Sequence, residues 1–99
     1  MEDRRGPYFK SLDSSDRPRS YWAAVSPDDE NEQWFFETVE DNGQCIAIRQ
    51  LAVESDGTRH AYSPERLEDD HGFLTDQPVR PAEWGFNAIS REAWDAAWG

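Results

Sequence analysis

Residues 37–62 read ETVEDNGQCIAIRQLAVESDGTRHAY, and two glycine-bearing pairs within them decide how the chain is read. Asn42-Gly43 suits a two-residue type I′ hairpin turn, which needs positive φ at both central positions, and Asp56-Gly57 repeats the signal after a nearly continuous apolar run. Tight turns at both places predict the pairing. The first hairpin sets Val39 opposite Ile46, Glu37 opposite Ile48, Phe36 opposite Arg49 and Trp34 opposite Leu51; the second sets Glu54 opposite Arg59, Val53 opposite His60 and Leu51 opposite Tyr62. Alternation along the strands then places Trp34, Phe36, Arg49, Leu51, Val53, His60 and Tyr62 on one face. Phe35, Val39, Ile46, Ile48, Ala52 and Ala61 fall on the other. Both faces are too apolar to stand in water, so the ribbon is expected at the centre of a sheet.

Working outward, YWAAVS (21–26) and QWFFETV (33–39) have the aromatic and β-branched content of strands, separated by a strongly acidic loop. After Tyr62, Ser63 followed by Pro64 suits a helix start, predicting one or two helical turns before His71-Gly72. The stretch GFLTDQPVRPAEWGFNA reads as an irregular, proline-bearing wrap whose Phe73, Trp84 and Phe86 can lie over a sheet face. In ISREAWDAAWG, Ser90 is an N-cap, Ile89 and Trp94 occupy staple positions, and Trp94 and Trp98 share one face. Eight residues are too few to hold a helix alone, so burial of the tryptophans must stabilise it. The expected fold is α+β: an antiparallel meander of about four strands packed by a short C-terminal helix, with one further short helix after the last hairpin. Residues 20–99 form its single domain. Residues 1–19 mix charge with Gly6, Pro7, Pro18 and three serines and read as a flexible N-terminal arm, with Tyr8, Phe9 and Leu12 as docking points.

The formal charge of −11 is uneven. Residues 20–99 carry five basic side chains against seventeen acidic ones. Such a surface repels nucleic-acid phosphates and anionic membranes, and speeds encounter with basic partners. No apolar run spans a bilayer and no apolar block follows the charged N-terminus, so a cytoplasmic location is expected. A lone Cys45 excludes an internal disulfide and fits a reducing compartment.

Catalytic patterns are weak. No nucleophile elbow, phosphate-binding glycine loop, zinc spacing or calcium loop occurs, and His71 beside Glu68, Asp69 and Asp70 reads as part of a solvated acidic loop rather than a metal site. No cofactor and no catalysis are expected. Arg49 near Glu37 or Glu54 suits a cross-strand ion pair or a guanidinium stacked on an aromatic ring. A minor enzymatic or ligand-binding alternative would rest on Arg49, His60 and Cys45.

The order of PDDENEQWFFETVEDNGQCIAIRQLAVESDGTRHAY (27–62), a proline-bearing wrap and a closing ISREAWDAAW (89–98) resembles a family of small acidic bacterial domains of unknown function. The resemblance covers residues 20–99 and implies the α+β fold rather than an activity. Members carry an acidic third helical residue where this chain has Ala93, so its capping box is incomplete. In size and acidity the chain is similar in physical type to immunity proteins that neutralise bacterial toxins.

The expected role is therefore a binding module for a basic protein partner such as a toxin. Asp28, Asp29, Glu30, Glu32, Asp41, Glu68, Asp69 and Asp70 would steer the encounter, and Trp84 would anchor it. The alternative is a structural or regulatory adaptor, homodimeric through uncovered sheet surface.

Overall fold

The computed structural model describes residues 5–26, 31–70, 72–75 and 77–99. Its centre is a five-stranded antiparallel sheet of β1 (Arg19–Val25), β2 (Gln33–Asp41), β3 (Gln44–Val53), β4 (Arg59–Tyr62) and β5 (Asn87–Ile89), in the order β4-β3-β2-β1-β5. Among the described residues three helices accompany it: α1 (Arg5–Asp13), α2 (Pro81–Trp84) and α3 (Arg91–Trp98). The α+β class and the meander of the first four strands are as the turn chemistry predicts. Among the described residues no helix is long and apolar enough to cross a membrane.

Asn42 and Gly43 both have positive φ, 53° and 76°, and Asp41 pairs with Gln44 across the expected two-residue turn. The predicted register holds from there to Thr38 and Ala47, then slips. Ile48 has no partner, so Glu37 faces Arg49, Phe36 faces Gln50 and Trp34 faces Ala52. This is a β-bulge in β3, and it turns the following β3 residues to the opposite face from the one alternation predicts. The second turn also differs. Gly57 N–H donates to Glu54 O and Glu54 N–H to Thr58 O, each at 2.9 Å, closing a three-residue loop with Gly57 at φ 90°. Asp56 holds it by accepting from the Thr58 N–H (2.9 Å), the local bond that lets Asp compete with a tighter turn. Val53 consequently faces Arg59, and Gln50 faces Tyr62. The two one-residue slips cancel, which leaves His60 and Tyr62 on the Trp34/Phe36 face as predicted.

The segment expected to be a flexible arm instead carries α1, with Phe9 and Leu12 only 1% and 3% exposed. They join Val39, Ile46, Ile48 and Leu74 in the core. Phe9 and Leu12 are among the docking points expected from sequence, but composition concealed the helix, because two apolar side chains one turn apart are enough to dock it when the sheet supplies the rest of the contact. The helix predicted after Ser63 is absent: Ser63 and Arg66 exchange both backbone hydrogen bonds at 3.0 Å, closing a turn. Leu74 N–H donates to Leu67 O (2.8 Å) and Asp69 N–H to Gly72 O (2.9 Å). Those pairings require extended chain, and they carry Leu74 into the core. The short helix after the last hairpin is α2, within the proline-bearing wrap, with Pro81 in its first turn and Gly85 as a left-handed cap.

α3 forms as predicted. Ser90 Oγ accepts from the Ala93 N–H (3.1 Å), Trp94 is buried, and the Trp94 and Trp98 rings stack at 5.3 Å. Trp94 also meets Tyr21 at 5.9 Å. Asp13 of α1 reaches Arg19 and Arg49, so α1 and α3 lie on the sheet face that carries Arg19, Tyr21, Glu37 and Arg49. The opposite face is left to the wrap.

Candidate functional site

Trp34 and Phe36 share the face of β2 opposite the one that carries Glu37, which aims both rings at the wrap. The wrap answers with Phe86, stacked on Phe36 at 4.8 Å and 17°, and with Trp84, set edge-on to Phe86 at 5.7 Å. Trp34 meets Phe36 edge-on at 6.1 Å. The four rings make a continuous row along one groove of about 580 Å³. Phe73 and Trp84 stand at its lips, 54% and 48% exposed, where burial would be the ordinary fate of such side chains. Glu32 lies within the groove, its Oε1 accepting the Trp34 indole N–H at 2.6 Å.

The groove wall is held in place by polar contacts. Tyr62 donates its hydroxyl to Asp69 (2.9 Å), and Gln50 Oε1 accepts from the Thr75 N–H (3.2 Å). Burial, the bond to Asp69 and the neighbouring carboxylates of Asp69 and Glu32 push the Tyr62 hydroxyl well above its usual range. A second cleft, of about 610 Å³, lies between the Gly43 turn and Glu83 on α2, with Trp84 in its wall too; its surface is mainly polar.

The predicted partner-binding residues do not form one patch. Asp28, Asp29 and Glu30 lie outside the described residues. Glu32 and Trp84 are brought together in the groove. Glu68 pairs with Phe73 at the groove lip, Asp70 is exposed, and Asp69 turns inward to Tyr62 and the Gly72 N–H. Asp41 sits at the far hairpin end, bound by Arg17 and by the Tyr8 hydroxyl.

Arg49, Glu37, Asp13 and Arg19 form a closed ion-pair cluster under the helices. Arg49 bonds Asp13 through both Nη1 (2.9 Å) and Nη2 (2.8 Å), and Arg49 and Arg19 each reach Glu37 at 3.0 Å. The cross-strand ion pair between Arg49 and Glu37 is the arrangement expected from sequence, although the bulge and not the hairpin turn creates it. Burial pushes the Asp13 carboxyl up, but the hydrogen bonds and charges of Arg49 and Arg19 hold it below its ordinary value. Cys45 and His60 do not meet. Cys45 faces Glu40 at one end of β3, while His60 faces Ala52, seven residues along, about 20 Å at strand rise. His60 is engaged by Glu54 at 2.8 Å. Burial raises the Cys45 thiol pKa, a Thr38 hydrogen bond opposes the rise and Glu40 adds to it. Among the described residues no three His, Cys, Asp or Glu side chains converge as a metal site would need.

Phe73, Trp84 and Phe86 lie over the sheet face of Trp34 and Phe36, as the proline-bearing wrap predicts, and of these rings the sequence marks Trp84 alone as a binding residue. Comparison of the chain with known protein families, curated proteins and solved structures finds no match.

Proposed function

We propose that this chain is a non-catalytic binding module that captures and regulates a basic protein partner in the cytoplasm, in the manner of an immunity protein or antitoxin. The observation that supports it best is the aromatic groove: two large exposed rings, Phe73 and Trp84, flank a built row of aromatics in a chain of net charge −11. Exposed tryptophan beside a concave apolar floor is the composition of an interface hot spot. The acidic surface contributes in a different way, by steering a basic partner and blocking its basic cleft, where carboxylates stand in for the phosphates of a nucleic-acid substrate. Glu32 belongs to both functions.

The test is titration of the full chain against the basic protein recovered with it from its native host, at salt from about 50 to about 300 mM, over which surface charges are progressively screened. Affinity should fall by about tenfold or more across that range, and should fall similarly when Trp84→Ala is introduced. Salt-insensitive binding, or binding untouched by Trp84→Ala, would overturn the reading.

A further inference from the structure

Resting on that reading, we infer that the groove takes a cationic side chain, an arginine or lysine presented by an extended segment of the partner, over its aromatic row and against Glu32. Three features of the groove point to a cation rather than an apolar residue. The faces of indole and phenyl rings carry negative potential, and with Phe36 buried beneath Phe86 the rings a cation can approach along the groove are those of Trp34, Phe86 and the exposed Trp84. A carboxylate is built into the same groove and fixed there, since Glu32 Oε1 takes the Trp34 indole N–H at 2.6 Å. No arginine or lysine among the described residues lines the groove, in contrast with Asp13, Glu37, Asp41 and Glu83, each of which has an arginine within 4.0 Å.

Ligand chemistry then follows from desolvation. An apolar side chain filling the groove would strip water from the Glu32 carboxylate and leave it without compensation, which is costly. A guanidinium or ammonium group supplies that compensation while its methylene stem covers the rings. The same geometry discriminates against acidic ligands, whose charge would meet both ring faces and Glu32.

The test uses the full chain, ¹⁵N-labelled, and two capped alanine-based peptides that differ only in a central arginine or its neutral isostere citrulline. The arginine peptide should shift the Trp34 and Trp84 indole N–H signals saturably and bind about fivefold or more tighter than the citrulline peptide, as expected for a cation on an aromatic face. Glu32→Gln should weaken the arginine peptide and leave the citrulline peptide unchanged. Equal binding of the two peptides, no indole shift with arginine, or a Glu32→Gln effect equal on both would overturn the inference. These outcomes separate from failure of the broader reading, which is decided by whether Trp84→Ala and salt alter capture of the native basic protein.

Discussion

Arg49 lies directly across the β2–β3 ladder from Glu37, its Nη1 3.0 Å from Glu37 Oε1, only because Ile48 bulges out of the pairing. The Glu37 side chain is 8% exposed, so without the bulge a buried carboxylate would face isoleucine. The bulge thus sets the strand register and compensates a buried charge in one move.

Removing Arg49 while keeping Glu37 should be among the most damaging single changes. Arg49→Met is expected to cost about 3 kcal/mol, because it leaves Arg19 alone to balance two carboxylates, Asp13 and the buried Glu37. Glu37→Leu combined with Arg49→Met leaves the Asp13–Arg19 pair balanced and should recover most of that loss. Urea unfolding of the two single variants and the double variant measures the coupling; additive losses would show that the pair is not energetically linked.

Acid should weaken the fold through Asp13. Its folded carboxyl titrates below the ordinary value of 3.8, so the stability it supplies is complete above that value and disappears as pH falls through the lower folded one. Asp13→Asn should therefore be less stable than the parent chain at pH about 6, with the gap closing as pH falls below the ordinary value of 3.8. Urea midpoints across that range check it, and a gap constant with pH would contradict the assignment.

Phe9 makes α1 part of the folded domain. Phe9→Ala should destabilise by about 3–5 kcal/mol, the range for emptying a large core site. A chain lacking the first thirteen residues loses Phe9, Leu12 and the Asp13 carboxylate together, and should show no cooperative thermal transition by circular dichroism.

Tyr62 should resist alkali. Its hydroxyl is raised by burial and by the bond to Asp69, so the associated stability is present below the ordinary value of 10.0 and is lost as pH climbs through the raised folded value. Ultraviolet titration of the folded chain should show a late tyrosinate step that vanishes in Tyr62→Phe and in urea. Tyr8 and Tyr21 are raised as well, by burial first, so the Tyr62→Phe comparison is the one that assigns the step.

Cys45 should be a sluggish thiol. Burial and Glu40 keep it protonated at neutral pH against the opposing Thr38 bond, and only the thiolate reacts. Its reaction with a chromogenic disulfide at pH about 7.5 should be about tenfold or more slower in the folded chain than in urea. Equal rates would place the thiol in open solvent.

Where a single residue's backbone chemistry dominates, local sequence was enough. Asn42-Gly43 set its turn because both residues tolerate positive φ, and Ser90 capped α3 because its hydroxyl reaches the Ala93 N–H three residues on. Aromatic and β-branched content marked β1 and β2, and Trp84 stood out as a large ring in an irregular segment. The rest depended on partners distant in the chain. α1 needs a sheet surface to cover Phe9 and Leu12, and no local pattern in residues 1–19 announces that surface. Ser63-Pro64 met its helix-start rules and still closed a turn, because Leu67 and Leu74 pair and bury between extended segments. The Ile48 bulge was hidden for a similar reason: alternation counts residues, whereas the register answers to the buried Glu37 needing a cation opposite. The groove was the least legible feature, since its row joins Trp34 and Phe36 from β2 to Trp84 and Phe86 from the wrap, residues about fifty apart in sequence. By itself the sequence determined the Asn42-Gly43 turn, the cap, the meander and the acidic surface, all consequences of short-range backbone preference and composition. Only the tertiary structure decided which rings share a wall and which carboxylate stands among them, because those are outcomes of burial that act across the whole chain at once.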